Sequence, residues 1–219
     1  MKESELVSIM NKFFKHNRMV YANEIRMGIG IPDVMVGCFV PDEHENIMDY
    51  YALKMYFFIV DNNIRSISEV IEMSVLPKTH TAKYIRVLEK RGILTIEYDA
   101  INISKIIQKQ ELGINVSIEA KVKDWKGGLL QAQRYLSFSD YSYVAIPEIG
   151  IKTVDQSRFI DSGIGLLAVS DESIYEVVKP SRSTECDALF KYMSISSMLN
   201  KFDDDINSCR DNCELFSMV

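Results

Sequence analysis

No apolar run in this sequence approaches the ~18 consecutive residues that a membrane-spanning helix needs, so no membrane partner is expected. Cysteine is scarce as well. Cys38, Cys186, Cys209 and Cys213 are too irregularly spaced for a disulfide framework and read as reduced thiols of a cytoplasmic protein. Cys209 and Cys213 would share a helix face at i,i+4, but no third or fourth ligand lies near them, which disfavours a zinc site. The first residues, Met1 to Leu6, lack the basic-then-apolar order of a secretory signal. There is no internal repeat. An excess of positive charge is also missing. A net charge of −6 and a pI near 5.2 count against a phosphate-rich partner. The acid is concentrated, however, in Asp203, Asp204, Asp205, Asp211 and Glu214, and the middle of the chain is locally basic.

What is present is an ordinary soluble globular composition, 47% apolar and 26% charged over 219 residues. That length suffices for one large domain or two small ones. Leu6, Ile9, Met10, Phe13 and Phe14 recur at helical spacing and predict an amphipathic helix over 3–15. Glu5 borders that stripe, where a solvated charge beside a helix N-terminus is the simpler account. Strands are predicted over 19–26 and 33–40, joined by a turn at 27–32 that contains Gly28, Gly30 and Pro32. Asp33 stands at the start of the second strand, a position that an Asp closing a turn would also take.

Between Pro41 and Gly113 the pattern changes. Helices are predicted over 47–60, from Ser66, and from Pro77 to about Arg91, where Gly92 supplies a C-cap. Ser66 and Glu69 have capping-box spacing. Residues 93–97 and 100–104 then form a hairpin around Tyr98 and Asp99. On the third helix Ala82, Ile85 and Leu88 are expected to face inward. Lys78, Thr79, Lys83, Arg86 and Lys90 fall on or near the other side, a basic face suited to DNA phosphates or guanine edges. A charged surface helix, or a protein-contact module, would look much the same.

From 115 the chain alternates again. Val116, Ile118, Ala120 and Val122 are apolar, with Ser117, Glu119 and Lys121 between them, so Glu119 and Lys121 share one face of a strand. A helix over 125–137 follows, with Gln131 and Tyr135 at i,i+4. A buried strand over 142–147, a short helix over 154–160, a hairpin of 165–170 with 173–178 across Asp171 and Glu172, and a helix over 187–201 complete the pattern. Glu119 and Lys121 are either solvated residues of an exposed strand or a used pair. The second reading gains weight because the strand is predicted to be central, where a charged pair is costly unless used or neutralised.

Two resemblances follow from these residues. Ile67–Ile71 and Thr81–Thr95, a helix ending at Gly92 with a strand directly after it, resemble a winged helix-turn-helix. Pro32-Asp33 followed at a distance by Glu119-Ala120-Lys121, and then by Gln131 and Tyr135 in a Gln-x-x-x-Tyr arrangement, resembles the PD-(D/E)XK nuclease superfamily. The implied fold is α/β: a restriction endonuclease-like mixed-sheet core flanked by helices, formed by 1–40 and 114–200. The winged-helix subdomain would occupy 41–113, and 201–219 would be an acidic tail. The implied function is a Mg²⁺- or Mn²⁺-dependent nuclease on double-stranded DNA. Asp33, Glu119 and the Ala120 carbonyl would be its metal ligands, and Lys121 would orient or deprotonate the attacking water. Gln131 and Tyr135 would shape the site, and Glu5 would stand where some members add a glutamate from the first helix. A non-catalytic DNA-binding regulator, or a module gripping a partner protein or a second copy as a homodimer, are the alternatives.

Overall fold

The computed structural model describes residues 1–37, 49–107, 113–171 and 173–202. In chain order these form α1 (Glu3–His16), β1 (Val20–Asn23), β2 (Val34–Gly37), α2 (Tyr50–Asp61), α3 (Ile67–Met73), α4 (Lys78–Lys90), β3 (Leu94–Glu97) and β4 (Ala100–Ile103). They continue with β5 (Asn115–Ala120), α5 (Trp125–Tyr135), β6 (Tyr141–Pro147), a 3-10 helix (Glu148–Thr153), α6 (Gln156–Ser162), β7 (Gly165–Val169), β8 (Ile174–Val178) and α7 (Ala188–Lys201). Cys38, Cys209, Cys213, Glu172, the end of the strand expected to reach Val40, the start of the helix expected from Ile47 and the acidic tail from 203 lie outside the described residues. Among the described residues no helix is long and apolar enough to cross a membrane.

The chain divides into two compact units, Met1–Glu43 with Gln110–Val219, and His44–Lys109. The first is built on a mixed six-stranded sheet in the order β1-β2-β5-β6-β7-β8. β5 lies inside it, antiparallel to β2 and parallel to β6. Alternation along each strand sorts side chains to two faces. Val34, Val36, Val116, Ile118, Ala120, Tyr143 and Ala145 pack with Leu6, Met10 and Phe14 of α1. Met35 meets Tyr135, Phe138 and Met198, while Val144 and Ile146 meet Leu129, Ala132 and Phe159. β5 is therefore covered on both faces, and all six of its residues are buried.

Buried polar groups fix the entry to β5. Asn115 donates from Nδ2 to Phe138 O at 2.8 Å and to Ser194 Oγ at 2.7 Å, and its Oδ1 accepts from Asp140 N. The Asp140 carboxylate in turn meets Lys191 Nζ at 2.6 Å and Arg182 Nη2 at 3.0 Å. The start of β5, the turn before β6 and α7 are thus tied through charge-assisted bonds. Cys186, near this cluster, is a free thiol that burial and then Asp140 push up to about 11.

β1 ends earlier than the sequence pattern predicts. Glu24 takes φ +50°, and its N–H bonds to Asp33 O at 3.2 Å, so the strand stops at Asn23. The intervening loop closes on itself through Met27 N to Gly30 O, with Gly28 at φ +81°. It returns the chain to the sheet at Pro32 and Asp33. The 3-10 turn before α6 has no counterpart in the sequence reading.

The described residues of the second unit form three helices and the two-stranded antiparallel sheet β3-β4. Asp49 caps α2 through Tyr51 N and Ala52 N, and Ser66 caps α3 through Glu69 N. Glu69 reaches back to Arg65 N rather than to Ser66 N, so the reciprocal half of the box is shifted by one residue. Ile67 N to Asp99 O and Ile101 N to Arg65 O join the hairpin to the start of α3. The buried stripe of α4 is Thr81, Ile85 and Leu88 at i, i+4 and i+7. Ala82, expected inward, is only half-buried, because it lies about 100° round the helix from Thr81.

Candidate functional site

β2 and β5 pair antiparallel with Val34 opposite Ile118, so the residues just beyond each end meet at one end of the sheet. Asp33 lies there, and its Oδ2 accepts from Ala120 N at 2.7 Å. An extended residue turns its N–H and C=O to the same side. The Ala120 carbonyl therefore faces the side on which Asp33 sits.

Glu119, 2% exposed, points to the face covered by α5. Its Oε1 lies 2.7 Å from Lys121 Nζ, and its Oε2 accepts from the Tyr135 hydroxyl at 2.6 Å. That hydroxyl is also 3.1 Å from Ile31 O. Two glycines make the room. A Cβ on Gly30 would lie 2.5 Å from the Tyr135 ring, and one on Gly128 would lie 2.7 Å from Lys121 Cγ. Asp124 caps α5 through Gly127 N, which sets the helix start beside Lys121.

These contacts set the protonation states. Burial, with Glu119 adding, raises the Asp33 carboxyl to about 6 against the opposing Ala120 N–H and Lys121 charge. Burial alone would lower Lys121, but the hydrogen bond and charge of Glu119 outweigh it and hold the ammonium above its ordinary value. While paired in this way Lys121 is a donor and a fixed positive charge, not a base. Burial and then Glu119 also raise Tyr135, which keeps the phenol protonated. Tyr135→Phe leaves Glu119 Oε2 without this donor. An expected cost of about 1–3 kcal/mol is readable by chemical denaturation.

Of the residues singled out from the sequence, Asp33, Glu119, Ala120, Lys121 and Tyr135 come together. Gln131 lies one turn before Tyr135 on α5 and is half-buried. Glu5 does not join them. Its carboxylate accepts from Lys2 N at 2.8 Å at the start of α1. Glu3 is the α1 carboxylate that approaches, with Oε2 3.9 Å from Lys121 Nζ. Two acidic residues so close on one helix turn carry no sequence signal that chooses between them.

Among the described residues no group of three or more His, Cys, Asp or Glu side chains is arranged to hold a metal ion. Two carboxylates and a carbonyl are nonetheless hard-oxygen donors of the kind Mg²⁺ takes alongside several waters. Each Glu119 oxygen carries one hydrogen bond from Lys121 or Tyr135 and so keeps lone-pair capacity. The donor set fits such an ion.

In the other unit, Lys78, Thr79, Lys83, Arg86 and Lys90 are all exposed on α4. Residues 78–91 hold five Lys or Arg against the single acid Glu89. Beside this face Tyr84 stacks on Tyr51 of α2, with ring centroids 5.5 Å apart and planes 22° off parallel. A scan against protein-family models gives no match, and searches of the curated proteins and of the solved structures find no significant similarity.

Proposed function

We propose that the chain is a divalent-metal-dependent nuclease with a PD-(D/E)XK, restriction endonuclease-like core and an inserted winged helix. One observation carries this reading: Asp33 and Ala120, 87 positions apart, are hydrogen-bonded, which sets Asp33 against the Glu119–Lys121 pair. Asp33, Glu119 and the Ala120 carbonyl would hold Mg²⁺ or Mn²⁺. Bound there, the ion would neutralise phosphate charge and activate a water.

The chain's own groups have distinct parts. Asp33 must lose its proton to serve as a ligand, and Tyr135 and Lys121 hold the Glu119 carboxylate in place. The Lys121 ammonium offsets negative charge that develops on the phosphate and orients the attacking water by donation. Gln131 extends the same α5 face toward substrate. The basic face of α4 contacts phosphates, which fix register on a duplex and carry little sequence information.

The internal pairing of Glu119 favours a second reading, a DNA-binding regulator that keeps the fold without cleaving. Plasmid and end-labelled oligonucleotides in Mg²⁺, Mn²⁺, Ca²⁺ or EDTA, with calorimetric metal titration, separate the two. The nuclease reading expects metal binding, and nicking or trimming in Mg²⁺ or Mn²⁺ alone. Intact substrates at high protein concentration, with no heat of metal binding, would leave the regulator.

A further inference from the structure

We infer that the inserted unit binds a partly unpaired nucleic acid, a duplex that runs into a single strand, by stacking an unpaired base on Tyr51. The inference rests on the nucleic-acid reading of this unit and is independent of the metal site. Tyr51 is 53% exposed although it lies in the first turn of α2, whose buried residues include Ala52, Leu53, Met55, Tyr56 and Phe57. Those residues, with Ile85 and Leu88 of α4, supply a core without it. The ring is held all the same. Tyr84 stacks against it, and Tyr50 meets it edge-on at 5.4 Å and 84°. His80, one helical turn before Tyr84, lies 6.5 Å from that ring.

Cations frame these rings. Lys83 Nζ is 5.4 Å from the Tyr84 centroid, and Lys54 Nζ is 5.9 Å from that of Tyr50. An apolar peptide would leave the ammonium groups unpaired, and an acidic peptide would make little use of a flat stack. A nucleotide uses both, its base extending the Tyr84–Tyr51 column and its phosphates meeting the lysines. The position on α4 is consistent with this. His80 lies about 60° round the helix from Lys83 and Tyr84 about 40° further. Lys83 Nζ reaches the Tyr84 ring, so a strand leaving the basic face on the Lys83 side comes next to the rings.

The test is fluorescence anisotropy with the full chain in EDTA at fixed low salt, so that nothing is cut. The probes are a blunt duplex, the same duplex with a DNA or RNA overhang, and the single strand. The overhang duplex is expected to bind about tenfold tighter than the blunt one. Tyr51→Ala removes that preference, and Tyr51→Phe keeps it, with unchanged circular dichroism in both. Lys83→Glu weakens all probes. Equal affinity for blunt and overhang duplexes, an equal loss on both with Tyr51→Ala, or no binding to any probe overturns the proposal. Equal affinity, or an equal loss with Tyr51→Ala, would leave Mg²⁺-dependent cleavage of duplex DNA standing. No binding to any probe would remove the nucleic-acid reading of this unit as well. A dead metal site would leave the overhang preference standing.

Discussion

Glu119→Gln is expected to lower Mg²⁺-dependent cleavage by about 10²–10³-fold or more, with the chain still folded. The amide is nearly isosteric with the carboxylate and offers one oxygen, so either the Tyr135 donor or the Lys121 ammonium loses its acceptor. Lys121, whose side chain is 14% exposed, would then rely on Glu3 at 3.9 Å. Leaving a buried charge poorly paired costs stability, here about 1–3 kcal/mol. Single-turnover cleavage and urea denaturation of the same preparation measure both effects. Cleavage within a few-fold of the native rate would remove Glu119 from the metal site and leave it a structural acceptor for Tyr135.

Asp33→Asn is expected to act in opposite directions on the two properties. Its carboxyl titrates near 6 in the folded chain, against an ordinary value of 3.8. Between those values the folded state binds the extra proton, so stability falls as pH rises through that window and stays lowered above it. Asparagine carries no such charge and still offers an oxygen to Ala120 N. Allowing for partial exposure of the group, the variant gains about 1–2 kcal/mol at neutral pH. That corresponds to roughly 2–8 °C in Tm, with no gain below pH 4. Cleavage falls by about 10²-fold or more, as expected for a lost metal ligand. A melting profile across pH 3.5–8, run on both proteins, checks the sign. A loss of stability that grows as pH rises through about 4 would make Asp33 a turn residue whose ionised form supports the fold.

Much of the architecture is legible in local pattern. The 3.6-residue recurrence of Leu6, Met10 and Phe14 marks the buried stripe of α1, and period two marks β5. Where the pattern misleads, the cause is specific. A wheel drawn from apolar residues alone turns Ala82 inward, while the buried stripe includes Thr81, a polar residue that the pattern discounts. β1 looks longer in sequence because Glu24 adopts positive φ, which a non-glycine residue rarely takes.

The sequence by itself singled out the candidate residues and the element on or beside which each stands: Asp33 just before β2, Glu119 in β5 with Lys121 just after it, and a basic outer face on α4. Periodicity and turn chemistry act over a few residues, and so they can be read along the chain. Only the tertiary structure decided that Asp33 meets Ala120, that Tyr135 grips Glu119, that Glu3 rather than Glu5 approaches Lys121, and that Tyr51 stacks on Tyr84. Those meetings depend on strand register, on the loop that returns the chain at Pro32 and on how helices pack. Interactions between residues far apart in sequence set all three, and no local pattern encodes them.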